Sequence, residues 1–254
     1  MTSRKRWEKI YTKQNPFKLP QSVARAVRSC SRDHISENGK HMVKYMWLYI
    51  SADGFHDQAQ PDQCMSGEEW LSVIDEGAAL GVKYVILSIG GGLKEHPEVW
   101  RMCKWAQDTH GITVGIHLYD QPVTREELAP VTELDANLTH LFIDDELLQR
   151  MSFVQELGVP VHSGEGQDQE IVSPDCHLPE EMTCVGASGT MYTCGLVLGE
   201  DEYRLGNVFE RKLQSIMTDD SLPHVVPEGV PKVKHKCNGC PPLMIKRMKN
   251  GSQS

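Results

Sequence analysis

Residues 83–118 read KYVILSIGGGLKEHPEVWRMCKWAQDTHGITVGIHL, and their pattern indicates the architecture of the chain. An apolar run (83–89) is followed by a glycine turn (90–92) and a helical pattern from Pro97 to His110. Gly111 ends that pattern, and a second apolar run occupies 113–118. Two short apolar runs joined by one helix are typical of parallel strands with a crossover helix.

The same unit recurs on both sides of this stretch. Residues 42–50 form an apolar strand pattern, and Ser66 with Glu69 forms a capping box for a helix over 67–80. Thr124 and Glu127 cap a third helix in the same way, and strand patterns at 140–144 and 159–162 flank a fourth over 145–157. We therefore predict an α/β fold, a partial TIM-like barrel of about five parallel strands and four helices. A doubly wound sheet is the alternative.

After Gln167 the alternation of strands and helices stops. Residues 182–185 and 190–198 read as a hairpin, 208–217 as a helix, and 221–236 as a loop. We interpret this part as a small α+β domain. The predicted domains are an N-terminal extension (1–41), the partial barrel (42–167) and the small domain (168–254).

Polar residues and glycines follow the predicted strands. Ligands of parallel sheets bind at the carboxyl ends of the strands, so these residues are the candidate site. They are Asp53, His56, Asp57, Gly90, Gly91, Gly92, His117, Asp120, Asp144, Asp145, Glu146, His162 and Glu165.

The composition limits the class of function. The 254 residues are 39% hydrophobic and 24% charged, as in ordinary globular proteins, and the net charge of -9 argues against nucleic acid as a partner. No apolar run approaches the roughly 20 residues that span a bilayer, and no export signal follows Met1. We expect a cytoplasmic protein whose eight cysteines are thiols or metal ligands.

Five of those cysteines lie in the last third of the chain. Cys237 and Cys240 are separated by two residues, a spacing that presents both sulfurs to one metal. Two further ligands must come from elsewhere, and Cys176 and Cys194 are the candidates. Four thiolates suit either Zn²⁺ or an iron–sulfur cluster, and the spacing does not choose between them.

This tail resembles the twitch form of the SPASM domain, the auxiliary-cluster region of radical S-adenosylmethionine (SAM) enzymes. The resemblance rests on Cys176, Gly189, Cys194 and the run Cys237-Asn-Gly-Cys240-Pro, together with residues 203–210, YRLGNVFE. It implies one [4Fe-4S] cluster on Cys176, Cys194, Cys237 and Cys240. Cys184 departs from the ligand spacing, and we interpret it as a packing residue, with replacement of Cys176 as the alternative.

Residues 42–167 resemble the same superfamily. Residues 65–82, MSGEEWLSVIDEGAALGV, followed by a strand and a glycine run, look like the first βαβ unit of radical SAM enzymes. The whole arrangement is similar to that of a SPASM/twitch dehydrogenase. The resemblance implies that Gly90, Gly91 and Gly92 approach a SAM-like ligand.

The loop after the first strand departs from the family pattern. The family carries Cys-x3-Cys-x2-Cys there, whereas this chain has Asp53, Asp57 and Gln60 at those positions. Oxygen ligands are poor partners for a low-potential cluster, and Cys64 alone cannot replace three thiolates. The family's Gly-Gly-Glu turn is also altered, to Gly90-Gly91-Gly92. We therefore predict that SAM is not cleaved reductively by the usual route.

Several functions remain open. The first is a cluster-carrying partner of an active radical SAM enzyme, or an electron-transfer or scaffold subunit. The second is a hydrolase or lyase with a divalent metal at the barrel mouth, held by Asp53, His56, Asp57, His117 and Asp144. Binding of SAM or a related nucleotide without radical chemistry is a third, and an atypical radical SAM oxidoreductase is a fourth.

Overall fold

The computed structural model describes residues 43–51, 64–119, 121–163, 182–222 and Ile245. Its strands are β1 (Tyr45–Tyr49), β2 (Tyr84–Ile89), β3 (Thr113–Leu118), β4 (Thr139–Ile143), β5 (Val161–His162), β6 (Met182–Val185), β7 (Thr190–Tyr192) and β8 (Arg204–Asn207). Its helices are α1 (Gly67–Ala79), α2 (Glu98–His110), α3 (Arg125–Leu128), α4 (Asp145–Arg150) and α5 (Leu213–Met217).

One mostly parallel, open sheet contains all eight of these strands, in the order β5-β4-β3-β2-β1-β6-β7-β8. Strands β1 to β5 are parallel to their neighbours, as the sequence predicted, and β6 joins β1 as a further parallel strand. Strand β7 pairs antiparallel with both β6 and β8. The sheet brings the carboxyl ends of β1 to β4 to one edge.

The predicted helix starts of α1 and α3 are confirmed in atomic detail. The Glu69 carboxylate accepts the Ser66 backbone N–H at 2.7 Å, and Ser66 Oγ accepts the Glu69 N–H at 3.4 Å. Thr124 and Glu127 make the same reciprocal pair at 2.7 and 3.3 Å. Each capping box satisfies two amide groups that a helix leaves without partners.

The described helices cover one face of the sheet. Apolar residues of all five helices share one core with strand residues on the helix-covered face of the sheet, such as Met46, Leu87 and Ile116. None of the helices in the described ranges is long and apolar enough to cross a membrane.

The predicted hairpin at 182–192 is confirmed, but its first strand belongs to the main sheet. Cys184 pairs with Tyr192 in the hairpin and with Trp47 of β1 on its other side. The sheet therefore continues beyond the five strands assigned to the barrel. The domain boundaries expected at 41/42 and 167/168 lie outside the described residues and stay predictions.

Two helix predictions were too long. The helix expected over 145–157 ends at Arg150, because Met151 leaves helical geometry (φ -121°, ψ 44°), and a 3-10 turn follows over Ser152–Glu156. The helix expected over 208–217 begins only at Leu213, whose N–H donates to Glu76 of α1 at 2.7 Å. Residues 208–210 form a turn in which Asn207 Oδ1 accepts the Phe209 N–H.

Candidate functional site

The sheet face opposite the helices is lined by aromatic side chains, and we call it the aromatic face. Its cluster of buried residues comprises Tyr45, Trp47, Tyr49, Ile86, Phe142, Met182, Cys184, Tyr192, Leu198 and Ile245, with Tyr84, Cys194 and Leu196 packed at its margin. Since alternate residues of a strand share a face, Ser88, His117, His140 and His162 lie on this side as well. Polar groups are thus embedded in an apolar, aromatic surface.

Two glycines let the aromatic rings occupy this face. A Cβ on Gly115 of β3 would lie 2.7 Å from Phe142 Cε2, so the Phe142 ring fills the space of the missing side chain. A Cβ on Gly195 would lie 2.6 Å from Trp47 Cε3 and 2.8 Å from Tyr49 Cε2. The backbone beside Cys194 therefore packs directly against the two rings of β1.

Three side chains from neighbouring strands form a hydrogen-bonded chain. Trp47 Nε1 donates to Ser88 Oγ at 2.7 Å, and Ser88 Oγ lies 2.7 Å from His117 Nδ1. Ser88 and His117 are register partners on β2 and β3, so the parallel pairing itself places them together. All three residues are buried, with exposures of 1%, 0% and 8%.

The donors and acceptors of these three side chains limit where the hydrogens of the network lie. The Trp47 indole has only a donor, so Ser88 Oγ accepts from it. The Ser88 hydroxyl hydrogen then has His117 Nδ1 as its partner among the described residues. In the tautomer in which Ser88 donates this hydrogen, His117 Nδ1 accepts it and the ring proton is on Nε2.

His117 is neutral at physiological pH. Burial lowers the pKa of its imidazole to about 4, because the apolar surroundings disfavour the charged form. The rings of Trp47 and Tyr119 lie against it, with centroids 6.4 and 5.4 Å away. The site offers a neutral N–H donor.

A second histidine pair lies across β4 and β5. His140 Nδ1 and His162 Nε2 are 3.0 Å apart, and the His162 ring stacks on Phe142 with a centroid separation of 5.2 Å. Burial lowers the pKa of His162. In this contact one ring nitrogen donates its hydrogen and the other accepts it. The two facing nitrogens therefore cannot both carry a hydrogen.

The predicted glycine turn lies at the end of β2. Gly91 and Gly92 have φ values of 77° and 113°, which side chains rarely adopt. The Gly90 N–H donates to the buried Ser51 Oγ at 2.8 Å, which ties the turn to the end of β1. Among the described residues, leaving out its chain neighbours, no atom lies within 4 Å of a Cβ built on Gly92, so backbone conformation accounts for glycine there.

Asp144 lies at the end of β4, two residues beyond Phe142, and Phe142 is the register partner of His117. Its side chain makes no capping hydrogen bond to α4. Partial burial raises the pKa of Asp144, and the neighbouring charges of Asp145 and Glu146 raise it further. The carboxyl end of β4 is therefore acidic.

Cys194 is the predicted cluster ligand that the structure describes. It is half-buried at the start of the 3-10 turn Gly195–Val197, and its Sγ accepts the Leu196 N–H at 3.5 Å. Backbone N–H donors to sulfur are a feature of iron–sulfur ligand sites and help set their potential. This contact caps the 3-10 turn, and the role of Cys194 as a cluster ligand stays a prediction.

Ile245 connects this region with the end of the chain. It is 3% exposed within the aromatic-face cluster against which Cys194 packs. In the sequence it follows Cys240 by five residues, which span at most roughly 18 Å of extended chain. Ile245 itself therefore lies on the surface against which Cys194 packs.

Two other thiols are fully buried. Cys184 is fully buried in β6, in agreement with the interpretation from the sequence. Cys103 of α2 lies in the helix-facing core, and burial raises the pKa of its thiol to about 12. A thiol that resists ionisation so strongly is a poor metal ligand.

Much of the predicted ligand set lies outside the described residues. This applies to Cys176, Cys237 and Cys240 of the cluster, and to Asp53, His56 and Asp57 of the second metal site. It applies also to Gln60, Asp120 and Glu165. Within the ranges that the structure describes, no three His, Cys, Asp or Glu side chains come together as a metal-holding group. Both metal sites stay predictions.

Comparison with known proteins gives a fold likeness only. No protein-family model matches the chain, and neither does any curated protein sequence. Streptococcus suis SuiB, crystallised with S-adenosylmethionine, matches with a TM-score of 0.51 and 12% identity over 82% of this chain and 70% of SuiB. A second SuiB structure has a TM-score of 0.46 and 11% identity, over 80% and 71% of the two chains. The first likeness supports the radical SAM fold.

Sequence reasoning missed Trp47, Ser88 and His140 as members of the site. Trp47 and Ser88 lie within apolar strand patterns, where a tryptophan and a serine are ordinary. The available signal was the spacing: Ser88 and His117 each lie next to the last residue of their strand, so parallel pairing in register puts them side by side. The hydrogen-bond partner of His117 follows from that register.

Proposed function

We propose that the chain is a radical-SAM-like iron–sulfur protein that carries a single [4Fe-4S] cluster on Cys176, Cys194, Cys237 and Cys240. It would serve an active radical SAM enzyme as a partner, scaffold or electron-transfer subunit. The fold likeness to SuiB supports the radical-SAM-like class. The partial barrel with an appended twitch-type domain is part of the same proposal.

The observation that carries the proposal is the environment of Cys194. Its sulfur accepts a backbone N–H, it is half-buried, and its neighbour Gly195 packs on Trp47 and Tyr49. Low solvent access and N–H···S bonds are what a bound cluster requires for a stable potential. When bound, such a cluster supplies one-electron transfer. The residues of this chain would hold it, shield it from water and fix its distance from the aromatic face.

The absence of cysteines from the three SAM-cluster positions after the first strand supports a single cluster in this protein. Asp53, Asp57 and Gln60 occupy the positions of the three SAM-cluster ligands, and each has an oxygen where the family has sulfur. An oxygen ligand set binds iron–sulfur clusters poorly. A cluster held by four cysteines also has no open iron for SAM.

This proposal predicts that the protein forms no 5′-deoxyadenosine from SAM. Anaerobically purified protein should give the background level after incubation with dithionite and SAM, measured by liquid chromatography. The matched variant is Asp53→Cys/Asp57→Cys/Gln60→Cys, which recreates the Cys-x3-Cys-x2-Cys spacing and should gain iron. Product formation by the wild-type protein above a protein-free control would contradict the proposal.

A further inference from the structure

The contact between His140 and His162 lies at the last pairing of the described sheet. Strand β5 contains two residues, Val161 and His162, and among the described strands it pairs with β4 alone. The Leu141 N–H donates to the Pro160 carbonyl across this junction at 2.9 Å. A pairing this short provides few backbone hydrogen bonds, so side-chain contacts carry a large share of what holds β5 in place.

The two imidazoles meet across β4 and β5 on the aromatic face. His162 is the register partner of Phe142, and His140 lies two residues before Phe142, so the three rings share one side of the sheet. His140 Nδ1 and His162 Nε2 are 3.0 Å apart, which is a hydrogen-bond distance. The His162 ring also stacks on the buried Phe142 ring. The His162 side chain therefore joins β5 to β4 through one hydrogen bond and one ring contact.

We propose that His140 and His162 form a pH-sensitive contact, which holds β5 on the sheet while at least one imidazole is neutral and releases it when both are charged. While one ring is neutral, one facing nitrogen donates a hydrogen and the other accepts it. An imidazolium donates to a neutral imidazole in the same way, so the first proton leaves the contact intact. With both rings charged, each facing nitrogen carries a hydrogen, and two positive charges oppose each other across the contact.

Burial sets the direction of the pH response. It lowers the pKa of His162, because the partly apolar surroundings disfavour the charged form. A histidine whose pKa is lower in the docked strand than in the released one stabilises docking above its ordinary pKa of 6.5. That stabilisation is lost as the pH falls below this value. Acid therefore releases β5, and neutral pH holds it.

Three other titratable side chains of the described residues lie on the same side of β3 and β4. On β3, His117 is the register partner of Phe142, and the Tyr119 ring lies against it. Burial lowers the pKa of His117 to about 4, so it adds no positive charge while the pair titrates. On β4, Asp144 lies two residues beyond Phe142, and partial burial, followed by the neighbouring carboxylates, raises its pKa. Its negative charge, which favours a charged imidazole, is thus lost at a higher pH than that of an ordinary aspartate.

The Leu141 N–H is a direct reporter of β5, because its acceptor is the Pro160 carbonyl. Hydrogen exchange of this amide measures the released fraction of β5. The measurement uses the cluster-loaded full chain and is corrected for the intrinsic pH dependence of exchange. The internal reference is the Thr113 N–H, which donates to the Lys83 carbonyl between β3 and β2 at 3.1 Å.

The expected result is a loss of protection at Leu141 in acid. The released strand binds at least one proton more than the docked pair once the pH is below the ordinary pKa of histidine. From about pH 6 to about pH 5, the protection of Leu141 should therefore fall about tenfold relative to that of Thr113.

Two substitutions remove the second charge and keep a hydrogen-bonding side chain. His162→Gln places an amide near the position of Nε2, and His140→Asn places one near the position of Nδ1. Neither variant can hold two charges at the contact, so the relative protection of Leu141 should change by less than about threefold over the same range. His110→Gln is the matched control, because His110 of α2 contacts Asp75 of α1 and should not affect the response of β5.

Nitrogen NMR of the labelled imidazoles provides a second readout on the wild-type chain. It should show a hydrogen on only one of the two facing nitrogens as long as Leu141 is protected. Hydrogens on both facing nitrogens of a docked strand would overturn the inference. This result needs no variant, so it stands even where a substitution prevents folding.

Two exchange results would also overturn the inference. One is an unchanged relative protection of Leu141 in the wild type from about pH 6 to about pH 5, and the other is an equal fall in the wild type and in both pair variants. Loss of a cluster in acid would affect the His110→Gln control and the pair variants alike, so it cannot produce the expected difference between them. The contact does not depend on the proposed cluster, whose iron content is measured separately, and failure of either proposal is therefore distinguishable.

Discussion

Replacement of Cys194 by alanine should abolish iron binding. Cys194 has the backbone N–H···S bond and the half-buried position expected of a thiolate ligand. Three remaining thiolates leave one iron of a cubane exposed to solvent, and oxidation then destroys the cluster. We expect iron and the broad visible absorption of the cluster to fall below about a tenth of the wild-type level after exposure of the purified protein to air.

Matched cysteine variants make this result specific. Cys103→Ala removes a thiol of the helix-facing core and should leave the iron content unchanged. Cys176→Ala and Cys184→Ala decide between the two candidates for the fourth ligand. Loss of iron in the Cys176 variant alone supports the assigned set, whereas loss in the Cys184 variant alone moves the ligand to β6. Full iron in Cys194→Ala contradicts the assignment of Cys194.

The second large effect is expected from Gly195→Ala, which changes no ligand. The new Cβ would lie 2.6 and 2.8 Å from Trp47 Cε3 and Cδ2, and 2.8 Å from Tyr49 Cε2. Both rings are buried and cannot rotate away freely, so the loop that carries Cys194 must move. We expect the free energy of unfolding to fall by about 1–3 kcal/mol, and iron to fall with it.

Gly67→Ala is the matched control for that substitution. Its Cβ would lie 3.3 to 3.4 Å from Cγ, Cβ and Cδ of Glu98, an exposed and flexible side chain. Because alanine favours a helix by up to about 1 kcal/mol over glycine, this variant should be as stable as the wild type or more so. Urea unfolding and iron assays on both variants test the comparison. Unchanged stability and iron in Gly195→Ala would contradict the packing argument.

The local parts of the fold could be predicted because their causes are local. Ser66 and Thr124 each cap a helix through a glutamate three residues later, and both capping boxes are present. Apolar runs of strand length gave β2 to β4 within one residue, and β1, predicted over 42–50, is Tyr45–Tyr49. Met151 was missed as a helix end because no glycine or proline marks it, and packing sets its conformation.

The remaining errors concern contacts between distant residues. The pairing of Cys184 with Trp47 joins β6 to the parallel sheet, and no pattern within 182–185 distinguishes that strand from an isolated hairpin. The start of α5 depends on Glu76, which lies 137 residues earlier in the chain. The Trp47–Ser88–His117 chain likewise requires the register of three strands. Such contacts follow from the sheet order rather than from spacing.

The hydrogen-bond partner and the pKa of His117 follow from its place in the sheet and not from the sequence pattern around it. As a histidine at a strand end it was a reasonable metal ligand, and the sequence assigned it to a divalent-metal site. Within the sheet, Ser88 Oγ lies 2.7 Å from His117 Nδ1, and burial lowers the pKa of the imidazole to about 4. A neutral imidazole can donate a hydrogen bond or ligate a metal, so the metal role of His117 stays a prediction. The other members of that site, Asp53, His56 and Asp57, lie outside the described residues.

Quantification of iron and acid-labile sulfide in the wild-type chain is the most direct test of the one-cluster proposal. The protein should be purified and reconstituted anaerobically, with protein concentration determined by amino-acid analysis. One [4Fe-4S] cluster predicts about four irons and about four sulfides per chain. About eight of each would show a second cluster and restore an active radical SAM enzyme, and zinc without sulfide would contradict the iron–sulfur assignment.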